Sequence, residues 1–307
     1  MAVITIDIIS DAICPWCFIG YRDLQKAISL YQKTYPGGSK DEFQLLWKPY
    51  FTGQEPPRRA ISPPNLLLQF LLCSHRSQLK IKSKNDSSAY IYQSIYPERM
   101  LRKMGPKMTQ GAQTRLKRVG AALGINFKFG GYIGSSRLAH VLLHTTAVEK
   151  GSLMRCKVSE ILFQYQFEIE EDISCIDTLV RSAVEAGLDE SEAKGWLAGE
   201  GAGNGVGEII EAADKQARGN GVQGVPHFII GGNHHIEGAV DVAEFLENVV
   251  EDKERSLGDE VVTVGGLLVG WKWAHVDWKP TTGVSWKRAV AKKNHDRDRF
   301  CFIFATV

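Results

Sequence analysis

Two cysteines with two residues between them, Cys14-Pro15-Trp16-Cys17, are the side chains of this 307-residue sequence best placed to do covalent chemistry together. On a helix they stand one turn apart, with Cα atoms about 5–6 Å from each other, inside the range a disulfide accepts. The pair can therefore cycle between dithiol and disulfide. A thiol at the start of a helix faces unpaired backbone N–H groups and the positive end of the helix dipole, both of which favour thiolate. Cys14 is thus the predicted nucleophile. Pro15 suits the first helical turn because it has no N–H to lose. Cys17, deeper in the helix and less exposed, is placed to attack a mixed disulfide and release the product.

A structural zinc is the main competing use of such a pair. It needs four ligands, and no second CxxC or CxxH cluster with finger-like spacing occurs in the chain. His140 and His144 share a helix face, but the Val-Leu-Leu between them lacks the glutamate of a zincin motif, so no metal site is expected. More than 200 residues downstream of the cysteines, Gly224-Val225-Pro226-His227-Phe228 puts a proline directly before a predicted strand. A proline there forfeits a ladder hydrogen bond and marks an edge, a cis peptide or an ordinary turn. A cis bond would leave the Val225 backbone free to pair with an extended substrate beside the cysteines.

The elements that must position these residues follow from periodicity. Val3 to Ile9 alternates and is β-branched, with Ser10 and Asp11 supplying turn and helix-start chemistry. Tyr21, Leu24, Ile28 and Tyr31 recur at helical spacing until Pro36-Gly37-Gly38, and Phe43, Leu45 and Trp47 alternate as a second strand. The cysteines therefore sit at the strand-to-helix junction of a β-α-β unit. Helical patterns fill the middle of the chain: one from Ser135-Ser136, one over Met154 to Phe167, two short ones near Asp177 and Asp189, and one over Val206 to Ala217. Strand character returns at His227 to Ile230. The Gly231-Gly232-Asn233 turn, a strand over His234 to Ile236 and a helix over Val240 to Val250 complete the pattern. The order is β-α-β, helices, β-β-α.

Composition narrows the alternatives. Hydrophobic residues at 44% and charged residues at 23% are ordinary globular values, and 37 basic against 35 acidic side chains argue against nucleic acid or an acidic membrane as partner. The six cysteines are too few for a secreted disulfide scaffold. Neither a signal segment nor a stretch long enough to span a membrane is visible, so the expected address is cytoplasmic. Residues 62–88, which join a double proline to an apolar cluster and a polar run, and the tryptophan-containing stretch from Ser256 onward do not match their surroundings.

CPWC after the first strand, GVPHF before the third and a long helical insertion between them resemble the DsbA-like branch of the thioredoxin superfamily. Within it, DAICPWCFIG, SIYPERM, GINFKFGG, SSRLAHVLL and VQGVPHFIIGG are similar to recurrent stretches of FrnE-type proteins. The resemblance implies a thioredoxin fold in two pieces, 1–61 and 205–252, a helical insertion over 92–204, and two atypical segments, 62–91 and 253–307. It implies thiol-disulfide exchange on protein or small-molecule thiols and disulfides, with Cys14 attacking, Cys17 resolving and Pro226 the cis-proline of a substrate groove. Pro15, Trp16 and Val225 are the expected substrate-contacting neighbours, and His140 is either a site-facing or a packed structural histidine. No bound cofactor is expected, with glutathione a redox partner. A second function, a glutathione-dependent isomerase or kappa-class transferase acting on a small aromatic or polyketide, comes with the same fold, although such relatives usually carry serine in place of the first cysteine. A third is a non-catalytic binding module that keeps the groove.

Overall fold

The computed structural model describes residues 1–52, 94–201 and 205–258. Strand β1 (Val3–Ser10) is central to a four-stranded sheet, which explains its isoleucines: Ile4, Ile6, Ile8 and Ile9 are all buried. It pairs in parallel with β2 (Glu42–Pro49), Ile6 opposite Leu45. On its other side it runs antiparallel to the late strand His227–Ile230, with Ile8 opposite Phe228. Helix α1 (Pro15–Thr34) is the crossover between the parallel strands, burying Phe18, Tyr21, Leu24 and Tyr31. The left-handed Gly37 (φ 81°) turns the chain toward β2.

The insertion comprises β3 (Ser94–Ile95), α2 (Tyr96–Ala122), β4 (Tyr132–Ile133), α3 (Arg137–Lys150), α4 (Ser152–Gln164), α5 (Ile176–Ala186) and α6 (Glu190–Gly201). Its helices from Arg137 onward fall where the periodicity places them, α2 is not singled out by its periodicity, and β3 and β4 form a two-residue antiparallel ribbon in a region read as all-helical. A ribbon that short carries no periodicity to read. Gly105, at φ 75° and ψ 169°, and the following Pro106 bend α2 into two arms. The insertion is not a separate body: Phe18 of α1 stacks on Phe163 of α4 at 5.1 Å between centroids, and Phe127 meets Phe18 edge-on. One continuous core therefore runs from the sheet into the helices.

After α7 (Val206–Gly219), β5 (His227–Ile230) and β6 (His234–Glu237) complete the sheet in the order β2-β1-β5-β6. Helix α8 (Val242–Gly258) starts two residues later than expected, where the Asp241 carboxylate accepts the Ala243 and Glu244 N–H groups. It also continues past Val250, so Lys253, expected to open the atypical C-terminal segment, belongs to the helix. The polar run Asp252-Lys253-Glu254-Arg255 looks like a solvated end in the sequence, yet Asp252 and Lys253 are buried. The atypical segment 62–91 and the tryptophans from Trp271 onward lie outside the described residues.

Asp23 on α1 gives a test of this packing. Burial pushes its carboxyl up to about 6; Lys26 opposes the shift and Asp241 adds to it. A carboxyl raised in the folded state takes up protons on folding between its unfolded value and 6, so it favours the fold at low pH and disfavours it at neutral pH. Asp23→Asn is expected to stabilise the protein by about 1 kcal/mol at pH 7.5, allowing for solvent screening, with the gain vanishing near pH 4. Urea denaturation at the two pH values measures both.

Candidate active site

Cys14 is the N-cap of α1, extended at φ −98° and ψ 114°, and Pro15 is the first helical residue. The turn is fixed on both sides: the Cys14 N–H donates to the Asp11 carbonyl at 3.0 Å, and the Cys14 carbonyl accepts from Cys17 N–H at 3.1 Å. Both cysteines are free thiols. Cys14 keeps 9% of its surface and Cys17 1%, the order that an attacking and a resolving thiol require. Burial, with Cys14 adding to it, pushes the Cys17 thiol well above its ordinary range, while Ser10 and the Asp11 backbone pull it back in part. Cys17 is therefore held protonated in the dithiol state.

Folding brings the downstream proline to the same place. The Val225–Pro226 peptide is cis, and the Cys14 thiol donates to the Val225 carbonyl at 3.6 Å across 211 residues of sequence. The approach depends on Gly20 in α1. A Cβ built there would lie 3.0 Å from Pro226 Cγ and 3.1 Å from the Phe228 ring, tighter than ordinary contact, so a larger residue would push the proline or the ring back by a few tenths of an ångström. Pro226 is buried, and its carbonyl accepts the Gly238 N–H at 2.8 Å.

His140 lies on α3 with 3% of its surface exposed, its Nε2 3.4 Å from the Asp11 carboxylate. The ring also meets Phe51 edge-on at 5.1 Å. It is thus a packed histidine directed at the residue that opens the CPWC turn. Asp11, read in the sequence only as turn chemistry, is the functional neighbour that spacing did not single out. Fully buried, it accepts both the Thr52 N–H and the Thr52 hydroxyl at 2.7 Å. Burial works against its ionisation, but His140 and the Thr52 bonds outweigh it and hold the carboxyl below its ordinary value. An aspartate at a strand end has many structural uses, and no local signal ties it to a histidine 129 positions away.

Trp16 and Pro15 face a cavity of about 420 Å³, also lined by Ile13, Thr52 and residues of α2. Arg115 lies over the Trp16 ring, 4.9 Å from its centroid. Among the described residues no cluster of three or more His, Cys, Asp or Glu side chains is arranged to hold a metal, and His144 is half-buried near Arg155.

The sheet order, the helical insertion and the CPWC turn against a cis-proline agree with a family model of the DSBA-like thioredoxin domain, which matches residues 5–250. The chain belongs to that family. Solved structures share the DSBA-like fold at low identity. A probable DsbA oxidoreductase from Streptomyces coelicolor is 21% identical with a TM-score of 0.61, covering 82% of this chain and 90% of that one. A putative protein disulfide isomerase from Nitrosomonas europaea is 14% identical with a TM-score of 0.50, covering 84% and 98%. A 2-hydroxychromene-2-carboxylate isomerase is 14% identical with a TM-score of 0.50, covering 83% and 98%. No curated protein matches the chain. DSBA-like proteins include both oxidoreductases and isomerases, so the family sets the fold and the broad chemistry, and the residues at the site must separate the reactions. No described helix of this DSBA-like chain is long and apolar enough to cross a membrane.

Proposed function

We propose that this DSBA-like protein is a thiol-disulfide oxidoreductase of the FrnE type. The observation that carries the reading is the Cys14 thiol, set at a helix N-terminus and 3.6 Å from the carbonyl that precedes a cis-proline. Cys14 as thiolate attacks a disulfide sulfur, forming one S–S bond and expelling a thiolate. Cys17 then loses its proton and attacks Cys14, releasing the second thiol and leaving the Cys14–Cys17 disulfide. Pro226 and Val225 form one wall beside the attacking sulfur, and the Val225 carbonyl, which accepts the Cys14 thiol, is released to an extended substrate once Cys14 is thiolate. Pro15 and Trp16 form the other wall. His140 acts through Asp11, holding the turn that presents Cys14, and does not contact substrate. Low-molecular-weight thiols of the glutathione class return the disulfide to dithiol, as suits a cytoplasmic protein.

The fold is shared with glutathione-dependent isomerases, in which the thiol of glutathione does the chemistry. The presence of both cysteines, one placed to attack and one to resolve, favours redox chemistry here. Equilibration in graded glutathione buffers, followed by acid quench, alkylation and mass measurement, tests the reading. The expected result is reversible interconversion of dithiol and disulfide along a two-electron curve, with about 30 mV per tenfold change in equilibrium constant. A pair that stays reduced in every buffer overturns it.

A further inference from the structure

The cavity lined by Pro15 and Trp16 has a chemical character of its own. It is built by the bend of α2: Met100 and Met104 come from the arm before Gly105-Pro106, and Ala112, Arg115 and Leu116 from the arm after it. On a straight helix Met100 and Arg115 would share a face but stand about 22 Å apart along the axis, and the bend lets them border one space. Ile13 and the Pro15-Trp16 pair close the side formed by the CPWC turn. The wall is thus thioether, aliphatic and indole surface, which suits a flat or irregular apolar body. At about 420 Å³ the space is sized for a small molecule.

Among the described residues, Arg115 is the only charged side chain on that wall. It is exposed, and among the described residues no carboxylate pairs with it. Its guanidinium lies 4.9 Å from the Trp16 ring centroid, a stack that holds the group over the CPWC turn. A stacked guanidinium still offers the N–H donors along its edge, in a fork that matches a carboxylate. The cavity therefore places an anion receptor and an apolar bed against Ile13, Pro15 and Trp16, the residues that flank Cys14 in the chain.

We infer that the cavity is the site of a small amphiphilic disulfide, one whose apolar body rests on Met100, Met104 and Trp16 and whose carboxylate is held by Arg115. This rests on the redox reading above and names the substrate class for it. With the dithiol protein the reaction balances without another reagent. Cys14 bonds to the near sulfur and the first thiolate leaves with the electron pair of the broken S–S bond. Cys17 gives up its proton, bonds to Cys14 and expels the second thiolate. The protein ends as disulfide and the substrate as two thiols.

Single-turnover kinetics with the reduced full-length protein test the inference. The probes are two aromatic disulfides, 5,5′-dithiobis(2-nitrobenzoate), which carries carboxylates, and 4,4′-dithiodipyridine, which is uncharged at pH 8. Arg115→Gln is expected to raise the half-saturating concentration of the carboxylate probe about tenfold, the worth of one charge-assisted hydrogen bond, and to leave the uncharged probe within about twofold. Lys117→Gln removes the same charge from the same arm outside the cavity and is expected to change neither. An equal effect of Arg115→Gln on both probes, or an equal effect of the two variants on the carboxylate probe, overturns the carboxylate site while leaving the redox reading intact. Failure of the wild-type protein to react with either probe overturns both.

Discussion

Cys14→Ser is expected to lower disulfide-exchange turnover by about 1,000-fold or more, because a serine hydroxyl is not ionised at neutral pH and is a poor nucleophile toward sulfur. Cys17→Ser is expected to behave differently. Its Cys14 still attacks, but the resolving thiol is gone, so a mixed disulfide accumulates and intact mass rises by one substrate thiol per chain. The burial of the two thiols is the reason to expect this asymmetry. Cys14 is the N-cap and retains some surface, whereas Cys17 lies behind it, almost fully enclosed and with its thiol pushed well above the ordinary range. A protonated Cys17 does not compete for substrate; it becomes the attacker only when a mixed disulfide forms beside it. Incubation of both variants with a peptide disulfide, followed by quench and mass measurement, separates the roles. Trapped adduct on Cys14→Ser rather than Cys17→Ser, or equal turnover of wild type and Cys14→Ser, would reverse the assignment.

Much of this was legible in the sequence because local and global signals agreed. The Val3–Ser10 strand, the helix with Pro15 in its first turn and the proline before His227 each follow from residue type and spacing, and their order names the topology. The rest depended on contacts between distant positions. Gly20 reads as a cost within a helix until Pro226 and Phe228 are seen against it. Asp11 reads as a turn former until His140 and Thr52 are seen to converge on it. The bend at Gly105-Pro106 can be suspected from sequence, but not that Met104 and Arg115 on its two arms border one cavity. In each case the missing information is the partner, which periodicity does not encode.

Lys253 is the sharpest instance of that rule, and its removal carries the largest stability effect expected here. Its Nζ lies 2.8 Å from the Asp41 carboxylate, with 8% of the lysine and 1% of the aspartate side chain exposed. Asp41 also accepts the Ala2 N–H at 2.6 Å and the Tyr31 hydroxyl at 2.9 Å, so the pair joins the late helix α8 to the start of β1 and to helix α1. Burial opposes ionisation of Asp41, but these partners, Lys253 foremost, outweigh it and hold the carboxyl below its ordinary value. Lys253→Met keeps the packing of the stem and removes the charge, leaving a buried carboxylate without its cation, at a cost of about 3 kcal/mol. A carboxyl depressed in the folded state contributes stability that is present above its unfolded value and is lost as pH falls through the folded one. The difference between wild type and Lys253→Met is therefore expected to be full at pH 7 and to shrink below about pH 4, where protonation of Asp41 removes the unpaired charge. Denaturant midpoints of the two reduced proteins at pH 7 and pH 3.5 measure it. A pH-independent difference would mean that Lys253 acts through the packing of its methylenes, whereas a difference below 1 kcal/mol at pH 7 would mean that Tyr31 and Ala2 satisfy Asp41 without it.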